Sequence, residues 1–498
     1  MVCWSFFNDT KKIKMKLIFF KFIIFFILLI FTNNCSSPKE YNNNLLQGEV
    51  PNTWTKPLPK TEEYTGLWWI SFGDEEMVEY LENFQKNSPN IKSILSQLES
   101  AKQLARINSA VSFPNIQAGM SGSRSGQNLA GFGFSDIFSD AFGDQDSSNN
   151  NQVISFESDN YGLNLSLQWE LDIWGKALNA RRAAYADFNS SNYDLVYLSF
   201  STMIQFVQTY YYTVESKLQY ELSLKTTESF KEVLNIVESR YKEGLTSSLD
   251  YRLAESSLAV SKVDMESKKI QFLSRLRNLE ILLGFYPSGK LKLSDQLPKK
   301  LPPIPSSLPA DLLTRRPDLK SALEKVKSAG YKLAEAKRSK LPSFSLTTSG
   351  GTSSEELKNV LNGDYGVWSR ILNISAPIFQ GGRLDANVKL NKSQLTQSEI
   401  NLVNKSLMAF MEVEQLLNSE NSIELQLKSL NIAVSQSKAA YDLSKARYES
   451  GLIDFVTVLN SQNQWFNSQS QYFSIERTKI DNRLQLILAL GGSLESLN

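Results

Sequence analysis

The residues closest to enzymatic chemistry stand at Gly284–Leu291, "GFYPSGKL". Gly284, Gly289 and Lys290 hold the spacing of a phosphate-cradling loop, in which backbone N–H groups wrap the anion and the lysine reaches its outer oxygens. The closing position of such a loop offers a hydroxyl to a metal ion, and here it is Leu291. The string contains Pro287 and follows "LRNLEILL", a helical pattern where the motif needs a strand. Nucleotide binding is therefore not expected. No histidine occurs, which removes the commonest general base and the commonest metal ligand. The only cysteines are Cys3 and Cys35, too few for a disulfide framework or a cysteine metal site. There is no G-x-S-x-G string and no clustered carboxylate motif. Neither catalysis, nor a cofactor, nor a metal is expected.

Cys35 is the one residue placed for a covalent modification. Lys11, Lys12, Lys14 and Lys16 precede the apolar run Leu17–Phe31, interrupted by Lys21, and "TNNCSS" follows. A single transmembrane anchor is the alternative, but 15 residues is short for a span, and a polar, Pro-containing tail begins at the cysteine. The segment resembles a bacterial lipoprotein signal, which implies a signal peptide over 1–34 and Cys35 as the lipidated first residue. It departs from that pattern at Thr32 and Asn34, and Met15 offers a second start. The full chain has 53 basic and 52 acidic residues, and removal of 1–34 leaves 48 and 51. No polybasic field suits nucleic acid. No later apolar run is long enough for a spanning helix, so any further crossing must use strands.

The elements that position these residues are written twice. "SRYKEGL" at Ser239–Leu245 returns as "ARYESGL" at Ala446–Leu452, and Leu283-Gly284 returns as Leu490-Gly491, both at an offset of 207 residues. Further upstream, "FPNI" at Phe113–Ile116 matches "LPSF" at Leu341–Phe344 at an offset of 228. The first copy thus carries an insertion, assigned to the Gly/Ser/Asn/Asp-rich loop at 126–152. Tyr286–Pro309 joins the copies, and its prolines exclude a helix or a central strand. Each copy predicts a short helix (about Asn90–Val111 and Ala310–Lys340), two strands, a very long helix, a tight Gly-Leu turn and a shorter helix. The first long helix, roughly Lys176–Lys242, would measure about 100 Å. Val196, Phe200, Met203, Val207, Tyr210 and Val214 recur at coiled-coil spacing. Val403, Leu407, Phe410 and Leu417 are expected to do the same in the second copy.

Tyr161–Ile173, "YGLNLSLQWELDI", alternates apolar and polar residues without an error. Ile116, Ala118 and Met120, then Phe344, Leu346 and Thr348, mark two further strands. A fourth carries Trp368, Leu372, Ile374 and Ala376 on one face, with Arg370 among them. The opposite faces carry Ser, Asn, Gln, Gly and Thr rather than Lys and Glu, which suits a water-filled lumen with lipid outside. A soluble sheet is the alternative. Four strands cannot close a useful barrel, and open edges are not tolerated in lipid, so a barrel would need several chains.

At this point the chain resembles the TolC-type outer-membrane efflux factors, in their lipoprotein branch. The resemblance rests on "LWWISFGDEEMVEYL" (Leu67–Leu81), "DLLTRRPDLKSA" (Asp311–Ala322), "LPSFSLTTSGG", "SAPIFQGGR" and "ARYESGLIDFVTVLNSQ", in that order. It implies a mainly helical α+β homotrimer. Four strands per chain would form one transmembrane β-barrel, continued across the periplasm by an antiparallel coiled-coil tunnel. The domains implied are a lipidated N-terminal segment and belt over 35–89, a first repeat over 90–285, a Pro-rich linker over 286–309 and a second repeat over 310–498. The function implied is a passive exit duct for small molecules in a tripartite efflux pump or type I secretion system. Its partners would be a periplasmic adaptor, an inner-membrane pump and outer-membrane lipid, with no nucleic acid.

By the same resemblance Leu163, Leu165, Leu167 and Trp169 face lipid. Gly244-Leu245 and Gly451-Leu452 are periplasmic tips that dock the adaptor. Asp250 and Tyr448 match a gate latch, while Thr457 and Asn460 stand where acidic gate residues occur and imply a neutral constriction. Ile453 replaces a second latch arginine. A lipid-anchored periplasmic adaptor is the alternative function, disfavoured by the duplicated strand hairpins.

Overall fold

A computed structural model describes residues 51, 53–55, 67–128, 155–304 and 309–491. Cys35, the signal segment and most of the inserted loop lie outside the described residues. The chain is mainly helical with one four-stranded antiparallel sheet. After a 3-10 turn at Trp68–Phe72 come α1 (Glu75–Asn87) and α2 (Pro89–Ser109). The strands β1 (Asn115–Asn128) and β2 (Ser155–Leu171) lead into α3 (Lys176–Lys242) and α4 (Ser248–Leu282). The second copy repeats the order with α5 (Leu312–Arg315), α6 (Pro317–Arg338), β3 (Ser343–Ser354), β4 (Gly366–Ser375), α7 (Arg383–Glu449) and α8 (Phe455–Ala489). The long helices α3 and α7 have 67 residues each, and α4 and α8 have 35 each, so the 207-residue offset holds to both ends.

Three expectations are corrected. The helix expected over Ala310–Lys340 breaks at Arg316, because Pro317 lacks an N–H and biases the residue before it toward extended backbone; Arg316 has φ −69° and ψ 121°. The buried stripe of α7 is Leu402, Ala409, Val413 and Leu417, whereas Leu407 is 52% exposed. In α3 the expected stripe is buried from Phe200 to Val214, because α1 and the Trp68–Phe72 turn cover it. Among the described residues, the equivalent face of α7 is covered at Phe410, Val413 and Leu417 by Trp54, Ile304 and Leu312, and Leu407 is left outside that cover. Finally, β1 continues to Asn128 into what read as loop, since Ser121–Asn128 pairs with Ser155–Gly162 despite its polar sequence.

The core sits where the helices pass mid-length. Trp68, Trp69, Phe72, Met77, Leu81 and Phe84 pack on Phe200, Phe206, Tyr210 and Val214 of α3, with Leu279 of α4 and Leu484 of α8. Phe84 stacks on Phe206 with ring centroids 4.6 Å apart. Each such side chain contributes about 1.5–3 kcal/mol by burial. A second cluster joins Trp54, Ile304, Leu312 and Leu319 to Val413 and Leu417. Described parts of the N-terminal segment and of the Pro-rich linker thus both pack on the long helices near mid-length.

Near mid-length a joint occurs twice. "PNIKS" at Pro89–Ser93 and "PDLKS" at Pro317–Ser321 begin α2 and α6 at the 228-residue offset. A Cβ on Gly284 would lie 3.5 Å from Pro89, and one on Gly491 would lie 3.2–3.3 Å from Arg315 and Arg316. Both glycines have positive φ, 79° and 83°, so each ends its helix in a left-handed turn fitted against the next helix start.

Candidate functional site

The two tips are built identically. At the end of α3 the Gly244 N–H donates to the Tyr241 carbonyl at 3.0 Å and the Leu245 N–H to the Arg240 carbonyl at 2.8 Å. At the end of α7 the Gly451 and Leu452 N–H groups donate to Tyr448 and Arg447 at 2.9 Å each. This is the Schellman arrangement, which needs a left-handed residue; Gly244 and Gly451 have φ of 74° and 75°. Leu245 and Leu452 project as 60% and 73% exposed side chains. An exposed leucine at the same place in both turns is not required by the turn itself.

The next helices begin with caps that use the expected gate positions. Ser247 accepts from the Asp250 N–H at 3.2 Å, and Asp454 accepts from the Thr457 N–H at 2.8 Å. Asp250 and Thr457 are thus both third residues of a capped helix, with the acid and the hydroxyl exchanged between copies. The hydroxyl and N–H of Thr457 hold the Asp454 carboxyl below the usual carboxylate range. Asn460 is exposed three residues after Thr457, on the same face of α8.

Asp250 and Tyr448 are linked through Thr246 within the chain. The Thr246 hydroxyl donates to Asp250 Oδ2 at 2.6 Å, and the Tyr448 hydroxyl donates to Thr246 Oγ1 at 3.5 Å, a long contact. Tyr448 is 4% exposed, packed on Phe455 and Val458. It serves as both a core ring and a link.

Several residues that hold the two hairpins together were not singled out by sequence. The Arg240 guanidinium lies 5.1 Å from the Tyr448 ring centre and donates to the Glu449 carbonyl at 2.9 Å. It thereby satisfies an orphan carbonyl at the C-terminus of α7 and places positive charge at the negative end of its dipole. Gln462, fully buried, donates to Ser229 at 3.0 Å, and Ser229 shares a hydrogen bond with the Tyr441 hydroxyl at 2.8 Å. Lys445 pairs with Glu232 at 3.0 Å. The repeated "RY" before each glycine was the available signal for Arg240; Ser229 and Gln462 are 233 residues apart and gave none.

The other end of the molecule is the sheet. Its register places Ile116, Ala118 and Met120 beside Leu167, Leu165 and Leu163, and Thr348 and Gly350 of β3 beside Leu167 and Leu165. Arg370 and Trp368 of β4 follow on the same face. Most of the apolar residues therefore share one face, and Asn164, Ser166, Gln168, Ser345 and Thr347 share the other with Val367 and Ile371 of β4. Tyr161 and Trp169 bracket Leu163, Leu165 and Leu167. Eight residues of strand span about 27 Å, near the roughly 25 Å apolar band that aromatic girdles flank in barrels.

The phosphate-loop-like string proves to wrap an anion of its own. Glu280 of α4 accepts from the backbone N–H groups of Gly289, Lys290 and Leu291 at 2.7–3.3 Å and from the Ser288 hydroxyl at 3.1 Å. Burial opposes ionisation, but these four donors outweigh it and hold the carboxyl below its ordinary range. The nest is filled by a side chain that pins the linker to α4.

A four-stranded sheet continued by two long helical hairpins is the fold of the trimeric outer-membrane channels. The chain aligns with the Campylobacter jejuni CmeC outer membrane channel at TM-score 0.80 and 24% identity, covering 92% of this chain and 95% of that one. With the open state of the Neisseria gonorrhoeae MtrE outer membrane channel the TM-score is 0.74 at 21% identity, covering 92% and 99%. The chain belongs to the outer membrane efflux protein family, whose model matches residues 80–284 and 308–492. It is 26% identical over 434 residues to the toluene efflux pump outer membrane protein TtgF of Pseudomonas putida, covering 86% of each. It is equally 26% identical over 433 residues to the pyoverdine export outer membrane protein OpmQ of Pseudomonas aeruginosa, covering 86% and 88%. This membership sets aside the adaptor alternative.

Proposed function

We propose that three copies of this chain close a twelve-stranded barrel in the outer membrane and a helical tunnel beneath it. Together they form the passive exit duct of a tripartite efflux pump or type I secretion system. The observation that carries this reading is the sheet: an apolar face and two open edges on four strands, leading directly into helices of 67 residues. Such a sheet satisfies its backbone in lipid only by pairing with copies of itself. Leu163, Leu165, Leu167 and Trp169 face lipid, and the Ser/Asn/Gln/Thr face lines water. Acylated Cys35 anchors each chain. The duct performs no catalysis and holds no cofactor; an inner-membrane pump supplies the energy.

The exposed Leu245 and Leu452 meet a periplasmic adaptor, and the tips close around Asp250, Thr246 and Tyr448. Thr457 and Asn460 give a constriction without a ring of acids. The test is to purify the tagged chain from membranes and reconstitute it in planar bilayers. A heat-modifiable trimer that conducts, and co-purifies with an adaptor and pump, is expected. A monomer confined to the soluble fraction would end the reading. Absence of palmitate label at Cys35 would remove the anchor alone.

A further inference from the structure

Among the described residues, Arg370 is the only charged side chain between the Tyr161 and Leu171 rows on the sheet face that carries Leu163, Leu165 and Leu167. It stands in the row formed by Leu167, Thr348 and Arg370. A charge on the lipid side of a barrel is costly at mid-membrane and less so toward either interface. The chain offers Arg370 no anion. Its guanidinium meets the Trp368 ring, 5.7 Å from the ring centre, and no carboxylate among the described residues. The acids of this face, Glu157 and Asp159, lie beyond the Tyr161 row and are engaged by Arg124 at 2.5 and 3.6 Å. The other edge strand, β1, which a neighbouring copy would bring beside β4, carries Ile116, Ala118 and Met120 on this face.

Arg370 also stands off-centre. Its row is two residues, about 7 Å along the strand, from the Trp169 row, and six residues, about 20 Å, from the Tyr161 row. An arginine that snorkels spans the first distance and not the second. The Trp169 end is where β2 and β4 lead into α3 and α7, so the interface within reach is the periplasmic one.

The rows around Arg370 follow the order of groups in a membrane lipid. The guanidinium can reach the Trp169 row, where its planar fork suits two oxygens of a phosphate. Thr348, beside Arg370, has a hydroxyl with no hydrogen-bond partner among the described residues. One row further in, Gly350 lies between Leu165 and Trp368. A Cβ on Gly350 would meet nothing within 4 Å, and Trp368 beside it is 77% exposed, so the missing side chain leaves an open apolar notch. Phosphate at the interface, glycerol ester just inside it and acyl chain beyond would meet, in that order, a cation, a hydroxyl and this notch.

We propose that β3 and β4 of each chain hold one glycerophospholipid of the periplasmic leaflet, its phosphate diester on Arg370, an ester carbonyl accepting from the Thr348 hydroxyl, and an acyl chain in the Gly350 notch against Trp368. The proposal rests on the barrel reading. The lipid lies beside the edge at which copies meet, so its binding stabilises the assembled barrel by mass action.

The full-length trimer, in a maltoside detergent that carries no phosphate, is titrated with dioleoylphosphatidylglycerol and read by native mass spectrometry. Wild type should take one lipid per chain. Arg370→Gln should need several-fold more lipid, and Thr348→Val a smaller excess. Arg124→Gln, whose charge sits beyond the Tyr161 row, should bind as wild type does. Binding that ignores Arg370→Gln overturns the proposal. Thermal unfolding gives a second reading, because removing this charge does not threaten folding. Without lipid, Arg370→Leu should melt above wild type; with phosphatidylglycerol the gap should close or reverse. The same gap in both conditions also overturns the proposal. Lipid carried through purification should be glycerophospholipid, and depleted in Arg370→Gln. Depletion of lipid A in its place would assign Arg370 to the outer leaflet and overturn the periplasmic site. A monomer mass in the same spectra would end the barrel reading separately, before any lipid is counted.

Discussion

The long helical hairpins of the two copies are the same length and differ in what covers them. α3 buries twenty-one of its residues and α7 ten. The N-terminal Trp-rich segment and α1 lie on α3, where Phe84, Trp68 and Phe72 meet Phe206 and Tyr211. Among the described residues, α7 receives Trp54, Thr55, the linker and the start of the second copy near Val413 and Glu414, and it leaves Leu407, Met408 and Met411 exposed. One copy has become the inside of a chain and the other a surface. The Trp-rich segment and α1 cover a long stretch of the first copy, and Trp54 and the linker a shorter stretch of the second.

The joints differ in the same sense. Ser88, fully buried, caps α2 through its hydroxyl, accepting from the Asn90 N–H at 3.2 Å. At the equivalent place Arg316, 4% exposed, forms a two-pronged pair with Asp318 at 3.0 and 3.1 Å. It also donates to Glu412 at 2.8 Å and to the Ala489 carbonyl at 3.0 Å. Burial works against its charge, but the two carboxylates outweigh that and raise its pKa. The second joint thus ties α6, α7 and α8 through a single charge.

The largest expected effect follows from that joint. Arg316→Leu strands Asp318 and Glu412 and should cost about 3–5 kcal/mol, read as lost trimer yield and a lower midpoint of denaturant unfolding. If it costs no more than Ser88→Ala, the two joints are equivalent and the contrast between copies fails here.

The strands offer the next largest. Leu165 of the first copy faces Gly350 and, beyond it, Trp368 of the second. Leu165→Arg should cost on the order of 2–4 kcal/mol per chain as a charge in mid-membrane. Ser166→Arg, on the other face, should leave assembly intact and alter conductance. Equal loss of trimer from both would reverse the assignment of the faces.

Glu280 has no counterpart, since the 207-residue offset places Ile487 there. Glu280→Gln should cost about 2 kcal/mol near neutral pH, the scale of a hydrogen bond to a charged group. Its folded pKa is held down, so this contribution is present above the ordinary carboxylate range and is lost as pH falls through the depressed value. The gap in unfolding midpoint between variant and wild type should therefore close in acid. A gap that stays constant with pH would mean the carboxylate is not what holds the linker.

The smallest effect is at the first joint. Ser88→Ala removes a cap worth about 1 kcal/mol and leaves no charge unpaired. Hydrogen exchange at the start of α2 should rise while trimer yield holds.

The sequence by itself determined the elements. The 207-residue offset set both ends of α3 and α7, and alternation in Tyr161–Ile173 set the strand and its faces, because period and turn glycines are local properties of the chain. Pro317 is equally local, and it divides α5 from α6 where apolar spacing alone predicts one helix. Tertiary structure decided which copy of each repeated residue is buried. Phe200 lies in the core and its counterpart Leu407 on the surface, although both obey the same spacing. Nothing near Leu407 in sequence says that α1 covers the other copy. The same holds at the tip, where Ser229, Tyr441 and Gln462 meet from three helices, and where Thr246 stands between Asp250 and Tyr448. The four hydrogen bonds in the nest at Glu280 are likewise fixed by the turn of the chain after α4. A pattern in one dimension states what each segment prefers to bury; only the packing of distant segments states against what.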